Sequence, residues 1–526
     1  MRQRLRESPV TSHSCHSYPS TFQVKTPYAK VIRNYQRRIA RRLRKKNYSA
    51  QPKPMLQGGN LHYEVGARTG AVSYGGLGAM HTLAQCVGLV QRIDDRLHLL
   101  KVHLPYHESD HVLNIAFNIL AGGTRLEDLE QRRQDEHYLD GLGAQRIPDP
   151  TTAGDFTRRF APENILTLQE CINDTRQEVW AHQPAGFLAD AYVDADGTIA
   201  GTLGECKGGM DMSYKGIWGY APLIITLANT QEVLYLVNRP GNAASHQDSV
   251  PWIDRALALV RPHAGRVTLR GDTDFTHTAD LDRWAAAGFN FILGMDAHAK
   301  VKGLAEALPG DAWCPLVRAP KYEILTEPRT KPVNVKEQIV IERGYQNIVL
   351  EGEAITEFAY QPGKCAQPYR LVVVRKNLSV QRREQVLFDE IRYFFYLTNR
   401  MDLTAAEVVA LANQRCNQEN VIAQLKGAVQ AMRMPVNDLN SNWAYMVMAT
   451  LAWNLKAWFA LLVPDRVQGV ELLKMEFRNF LQAIMALPAQ IVRTARGLIY
   501  RILGYNRWLK DFLATFERIR ELVPTG

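Results

Sequence analysis

From residue 187 the apolar positions fall into short runs separated by turn residues. FLADAYVDADG (187–197), APLIITLAN (221–229) and EVLYLVN (232–238) are β-branched or apolar stretches of strand length. SVPWIDRALALV (249–260) then places its apolar residues at helical spacing, RVTLRGD (266–272) reads as a strand ending on an acid, TADLDRWAAAG (278–288) as a helix closed by glycine, and FNFILGM (289–295) as another strand. The predicted order is three strands, helix, strand, helix, strand.

The pattern changes on either side of this block. Residues 297–398 alternate like strands in YEILTE, EQIVIERG, NIVLEGEAITEFAYQ, YRLVVVRKN and IRYFFYLTN. Helical spacing returns in LTAAEVVALANQRCNQENVIAQLKGAVQAM (403–432), so a β-rich segment separates the last core strand from this helix. Upstream, HVLNIAFNILAGG (111–123) predicts a helix with a glycine stop, and in DPTTAGDFTRRF (149–160) Thr151 or Thr152 is the expected N-cap. Residues 441–526 predict further helices, their tryptophans 443, 453, 458 and 508 serving the core. MVMATLAWNLKAWFALLV (446–463) is the most apolar stretch, but Asn454 and Lys456 interrupt it, so it reads as a buried helix rather than a membrane span. The chain therefore divides into a basic arm (1–55), a helical DNA-binding region (56–180), a first core part (181–296), a β-rich insertion (297–398), a second core part (399–440) and a C-terminal helical region (441–526). The fold class is α/β.

Charge sharpens this picture. The chain of 526 residues carries 63 Lys+Arg against 53 Asp+Glu, a net charge of +10. KVIRNYQRRIARRLRKK (30–46) holds nine basic residues and no acid, among them Arg37, Arg38, Arg41 and Arg42. Like charges this dense repel unless a polyanion neutralises them, so the segment is expected to contact nucleic acid. Seven scattered cysteines without a CxxC pair disfavour zinc and disulfides and fit a reducing cytoplasm. The first twenty residues lack the apolar core of a signal peptide.

Three acids carry the candidate chemistry. Asp196 and Asp272 stand where strands end, and Glu419 lies on the helix at 403–432. Carboxylates so placed can converge on two divalent cations, which activate a nucleophile and stabilise the leaving oxygen in phosphodiester chemistry. Asp194 shares a strand face with Asp196 and remains an alternative metal ligand, as Asp274 does to Asp272. Arg415, Glu419, Ile422 and Lys426 recur at i, i+4, i+7 and i+11 and share one helix face, where the acid is either an i,i+4 ion-pair partner only or a metal ligand flanked by cations that reach toward DNA phosphates. Lys215, Trp218 and Tyr220 in YKGIWGY are further candidates for DNA contact, and Ser245 for the cap of the helix after NAASH.

These stretches resemble the DDE transposases of bacterial insertion sequences, in the branch with a β-rich insertion before the glutamate, closest to insertion-sequence family 1380. DADGTIAGTLGECKGGMDMSYKGIWGYAPL, NRPGNAASH, LRGDTDFT, YFFYLTNR and NQRCNQENVIAQLKG carry the likeness. Of that family's signature Y-(2)-R-(3)-E-(6)-K, Arg415, Glu419 and Lys426 match, while Ala412 replaces the tyrosine; GDTDF stands where GDSGF is usual. The resemblance implies an RNase H-like mixed-sheet catalytic core interrupted by the insertion. It also implies Mg²⁺-dependent cutting at the ends of the element, with Mn²⁺ as a substitute, then joining of the free 3′-OH ends to double-stranded target DNA. A homodimer in the synaptic complex follows from cutting two ends. The competing readings are an RNase H-like nuclease without end specificity and a non-catalytic DNA-binding relic.

Overall fold

A computed structural model describes residues 28–44, 70–318 (except 104), 338, 339, 343, 346–382, 385–495 and 497–522. The stretches YEILTE and, for the most part, EQIVIERG lie outside the described residues.

A nine-stranded mixed sheet organises the molecule. Its strands are β1 (Leu188–Gly197), β2 (Leu223–Leu227), β3 (Glu232–Val237), β4 (Ala264–Gly271), β5 (Asn290–Met295), β6 (Cys314–Pro315), β7 (Gln346–Tyr360), β8 (Tyr369–Arg382) and β9 (Gln385–Thr398). They lie in the order β6-β7-β8-β9-β5-β4-β1-β2-β3. β1, β4 and β5 run parallel, while β2 is antiparallel to both β1 and β3. Helices Val250–Val260 and Leu281–Ala286 make the two crossovers between these parallel strands. The three-strand, helix, strand, helix, strand order predicted from periodicity is the order found.

The strands from 346 to 398 do not form a sheet of their own. β9 pairs antiparallel with β5, from Phe395 opposite Met295 to Thr398 opposite Ile292, so the long meander extends the core sheet. Thr398 and Asn399 fix the junction, donating to the carbonyls of Phe291 and Phe289.

At the other edge, β3 is covered rather than paired. Helix Leu439–Leu461 is almost wholly buried and packs on it. Asn454 bonds both the N–H and the C=O of Val233; the Gln169 side chain accepts from the Leu236 N–H; the Trp443 indole donates to the Leu236 carbonyl. Side chains thus close an edge that would otherwise invite a foreign strand. Beneath it, Arg176 and Glu232 form an ion pair with both side chains fully buried, and the indoles of Trp180 and Trp458 donate to the two Glu232 oxygens.

Several local expectations change. Helix Pro150–Thr157 is capped by Asp149, whose carboxylate accepts from the Thr152 N–H, not by either threonine. Ser245 caps no helix; the next one begins at Val250. The C-terminal region is not all helix: Ala489–Thr494 and Gly497–Ile502 form a hairpin that also pairs with Ala71–Val72. The basic segment forms a helix, Ala29–Arg44, with exposed Arg37, Arg38, Arg41 and Arg42. No helix among the described residues is long and apolar enough to cross a membrane.

Candidate active site

The register of the sheet builds the site. Asp194 on β1 lies opposite Arg270 on the parallel strand β4. Two residues further along each chain stand Asp196 and Asp272, brought side by side where neighbouring strands end, a strand spacing of about 4.8 Å apart in an ideal sheet. Asp272 also caps the turn Thr273–Phe275, accepting from the Asp274 N–H, while the Asp274 side chain points outward into solvent.

Asp194 leaves the set of metal ligands. Both its oxygens are held at 2.7 Å by the Nε and Nη2 of Arg270, and the carboxylate has no exposed surface. Arg270 is further tied to the Leu411 carbonyl. Freeing Asp194 for a cation would strand a buried guanidinium, a cost of about 3–5 kcal/mol. The i, i+2 rule placed the two aspartates on one face correctly; what it lacked was the partner from the next strand.

Glu419 arrives by a different route from the one helical spacing suggested. The predicted single helix breaks at residues 414–415 into Ala405–Asn413 and Cys416–Gly427. Arg415 sits at the N-cap position of the second helix, with helical backbone angles, and reaches Asp196, Nη1 to Oδ2 3.2 Å. Gln418 anchors this helix: its buried side-chain amide donates to the carbonyls of Asp194 and Ile224, on β1 and β2. The next residue, Glu419, stands exposed in the first turn, near enough for its charge to act on Asp196.

The electrostatics tie the groups together. Burial raises the Asp196 carboxyl to about 6; Arg415 opposes the rise, while Asp272 and Glu419 add to it. Asp272 is raised too, by burial first, with Asp274 and Asp296 adding and Arg415 opposing. Lys426 is held below its ordinary range by burial and by the charge of Lys215, against the pull of Asp196. Asp196, Asp272, Glu419, Arg415, Lys426 and Lys215 therefore occupy one electrostatic neighbourhood. Asp296 is an acid that the sequence reading passed over. It follows β5 directly, and the signal that singled out Asp272, a strand ending on an acid, is present in FILGMD.

Tyr220 does not reach solvent. It is fully buried and its hydroxyl donates to the Gly208 carbonyl. Its place in DNA contact is withdrawn: between the end of the small sheet and β2 its ring is needed in the core. Arg37, Arg38, Arg41 and Arg42 lie on the separate basic helix, exposed and without ion pairs among the described residues.

Among the described residues no three His, Cys, Asp or Glu side chains come together in a group that could hold a metal ion. The donors present are nevertheless of the hard oxygen type, and Mg²⁺ keeps several waters and needs only one or two carboxylates from each site. The raised Asp196 carboxyl is chiefly the mark of burial, to which Asp272 and Glu419 add, and it is opposed by nearby positive charge. One guanidinium, Arg415, now supplies it. The oxygen donors at the two strand ends suit a divalent cation in chemical type.

Acids thus stand at the ends of adjacent strands of an α/β protein, with cations beside them. The chain belongs to the DDE transposases: the family model described as Transposase DDE domain group 1 matches residues 65–524. No curated protein matches it. Among solved structures it is similar to the cryo-EM structure of a piggyBac transposase synaptic complex with hairpin DNA, at 11% identity and a TM-score of 0.37, over 80% of this chain and 83% of that one.

Proposed function

We propose that this DDE transposase serves a bacterial insertion sequence, binding its terminal inverted repeats, cleaving the DNA ends and joining them to target DNA. The observation that carries the reading is the register that sets Asp196 and Asp272 at neighbouring strand ends, with Gln418, next to Glu419 in sequence, bonded to the carbonyls of Asp194 and Ile224. The strand order β3-β2-β1-β4-β5, with β2 alone reversed, supports an RNase H-like core, and the meander from 297 to 398 is then its insertion. On this assignment residues 56–180 bind DNA, 181–296 and 399–440 are the two parts of the core, and 441–526 brace it.

Asp196, Asp272 and Glu419 would hold two Mg²⁺ ions, or Mn²⁺ in their place, which supply the Lewis-acid charge that phosphodiester exchange requires. The protein's own part is placement. Arg415, Lys426 and Lys215 bind phosphates flanking the cut, and the Asp194–Arg270 pair stiffens the strands on which the acids stand. Two ends cut in one event call for a homodimer in the working complex.

Alanine at Asp196, Asp272 or Glu419 is expected to lower metal-dependent cleavage of terminal-repeat DNA by at least a thousandfold, on the order of the loss of a principal catalytic group, with DNA binding retained. Cleavage at the wild-type rate by the Glu419→Ala protein would remove that residue from the site. Equal cutting of terminal-repeat and random duplexes would favour a nuclease without end specificity.

A further inference from the structure

The long meander leaves part of one strand open. β9 pairs with β8 along its length, but on its other side only Phe395–Thr398 meet a partner, strand β5. Among the described residues nothing pairs with β9 on that side before Phe395. The ladder with β8 also slips once. Val380 lies opposite Phe388 but Gln381 opposite Val386, so Leu387 is an extra, bulged residue at which the strand bends. The regular open edge is therefore Phe388–Phe394, between the bulge and β5. Every second residue along it turns its N–H and C=O away from β8, and such an edge invites another strand.

The side chains along this edge follow a pattern. Period two places Phe388, Glu390, Arg392 and Phe394 on one face of the strand. Phe388 is 54% exposed and Phe394 41%, while on the other face Ile391 is 55% exposed. The apolar surface continues beyond the strand. Ile348, Val380 and Phe388 stand in line across β7, β8 and β9, and Ile348 and Leu350 are half exposed. Glu390 and Arg392 bond each other along the strand, at 2.7 and 2.9 Å. An ion pair so open to water holds its members weakly, and either can pair elsewhere. The order of these residues is symmetrical about Ile391: the two charges flank it at one step, the two phenylalanines at three. The open edge has the same centre.

We propose that Phe388–Phe394 is a dimer interface, pairing antiparallel with the same strand of a second copy about a twofold axis at Ile391. In that register Glu390 lies opposite the partner's Arg392, and Arg392 opposite the partner's Glu390. Phe388 meets the partner's Phe394, which carries the line from Ile348 through Val380 into the second molecule. Ile391 meets its own counterpart on the other face. Moving the axis by one residue either way sets Glu390 on Glu390 or Arg392 on Arg392, and like charges directly opposite are destabilising. Self-complementarity of this kind is what a closed twofold contact requires. An unrelated strand has no reason to match charges arranged in opposite sense about one centre. The interface uses neither the acids nor DNA, so it does not rest on the transposase reading, although it supplies the second subunit that reading calls for.

The test is sedimentation equilibrium of the full-length protein, without DNA or metal, from about 1 to 50 µM, where interfaces of modest area dissociate. Wild-type protein is expected to pass from monomer to dimer across that range. Glu390→Arg and Arg392→Glu each set like charges opposite in both halves of the interface, and each should weaken the dimer about tenfold or more. An equimolar mixture of the two variants regains opposite charges in the mixed dimer. The double variant Glu390→Arg/Arg392→Glu regains them in its own. Both should dimerise nearly as wild type does. The two side chains lie outside the core, so every variant is expected to melt as the wild-type monomer does. Wild-type protein that stays monomeric throughout overturns the proposal. So does a dimer that either single variant leaves unchanged, or a loss that neither the mixture nor the double variant repairs. None of these results bears on cleavage, which the substitutions at Asp196, Asp272 and Glu419 test separately.

Discussion

At the scale of single residues, the acidic pocket is a place where stability has been given up. Asp196 ordinarily titrates near 3.8 and here near 6, so between those values the folded chain holds a proton that the unfolded chain has lost. The native state therefore loses stability as pH rises from about 4 to about 6, and carries the whole penalty above that. Asp196→Asn removes the titration. Its melting temperature is expected to exceed that of the wild type above pH 6, by the equivalent of about 1–2 kcal/mol, and to converge with it toward pH 4. The gain falls short of the full shift because Arg415 loses its partner. Added Mg²⁺ should raise the wild-type melting temperature at pH 7.5 and leave the Asn variant nearly unmoved; equal responses would place the cation elsewhere. The residues themselves were legible to different depths. Asp196 and Asp272 could be picked out because a strand that ends on an acid leaves a local trace. The fate of Asp194 could not, since it depends on Arg270, 76 residues away in sequence and adjacent only once the parallel register is formed. Tyr220 is buried while Tyr214, six positions earlier, is exposed, a difference that the sequence alone does not carry.

At the scale of elements, periodicity found the core strands and crossover helices but not their interruptions. The break at 414–415 falls inside a stretch of unbroken helical spacing, and it is the pull of Asp196 on Arg415 and of two strand carbonyls on Gln418 that sets the second helix on its own course. The hairpin at 489–502 was read as helix because its alternation is short and its partner, Ala71–Val72, lies at the opposite end of the chain. The buried helix Leu439–Leu461 was recognised, and the two polar residues that distinguished it from a membrane span turn out to have separate tasks. Asn454 closes the edge of β3. Lys456 donates to the Leu473 carbonyl and lies over the Trp453 ring, and burial lowers its ammonium to about 7. With the folded value below the unfolded one, the unfolded chain binds the extra proton between about pH 7 and 10.5, so stability should climb with pH across that window, by at most about 1.4 kcal/mol per unit. Lys456→Met is expected to flatten the climb, with its advantage over wild type greatest at pH 7 and below and shrinking toward pH 10. Thermal melts of both proteins from pH 6 to 10 check this; parallel curves would show that Lys456 stays charged in the fold.

At the scale of the whole molecule, positive charge lies in two places, both of which the proposed function assigns to DNA. One is the rim of the acidic pocket, with Arg415, Lys426 and Lys215. The other is the helix Ala29–Arg44, whose seven basic residues carry no acid among them and whose apolar positions Ile32, Tyr35 and Ile39 recur along one side. The sequence showed the charge of this segment but not its helix, because repulsion between neighbouring cations masks an apolar stripe only one residue wide. Each phosphate neutralised on B-DNA releases counterions and contributes about −0.9 to the slope of log affinity against log salt. If the helix engages roughly five phosphates, deleting residues 1–50 should lessen the slope by about 4–5 and weaken binding most at low salt, while the rim of the pocket retains the remainder. Cleavage of short, saturating duplexes should survive the deletion, since the carboxylates and Gln418 lie outside it. Binding isotherms for the intact and shortened chains between 50 and 300 mM salt give both slopes directly. Superimposable slopes would confine the DNA footprint to the pocket and its neighbours. A difference near five would show that this transposase grips its substrate at a distance from where it cuts, which is what holding an element's end through successive steps requires.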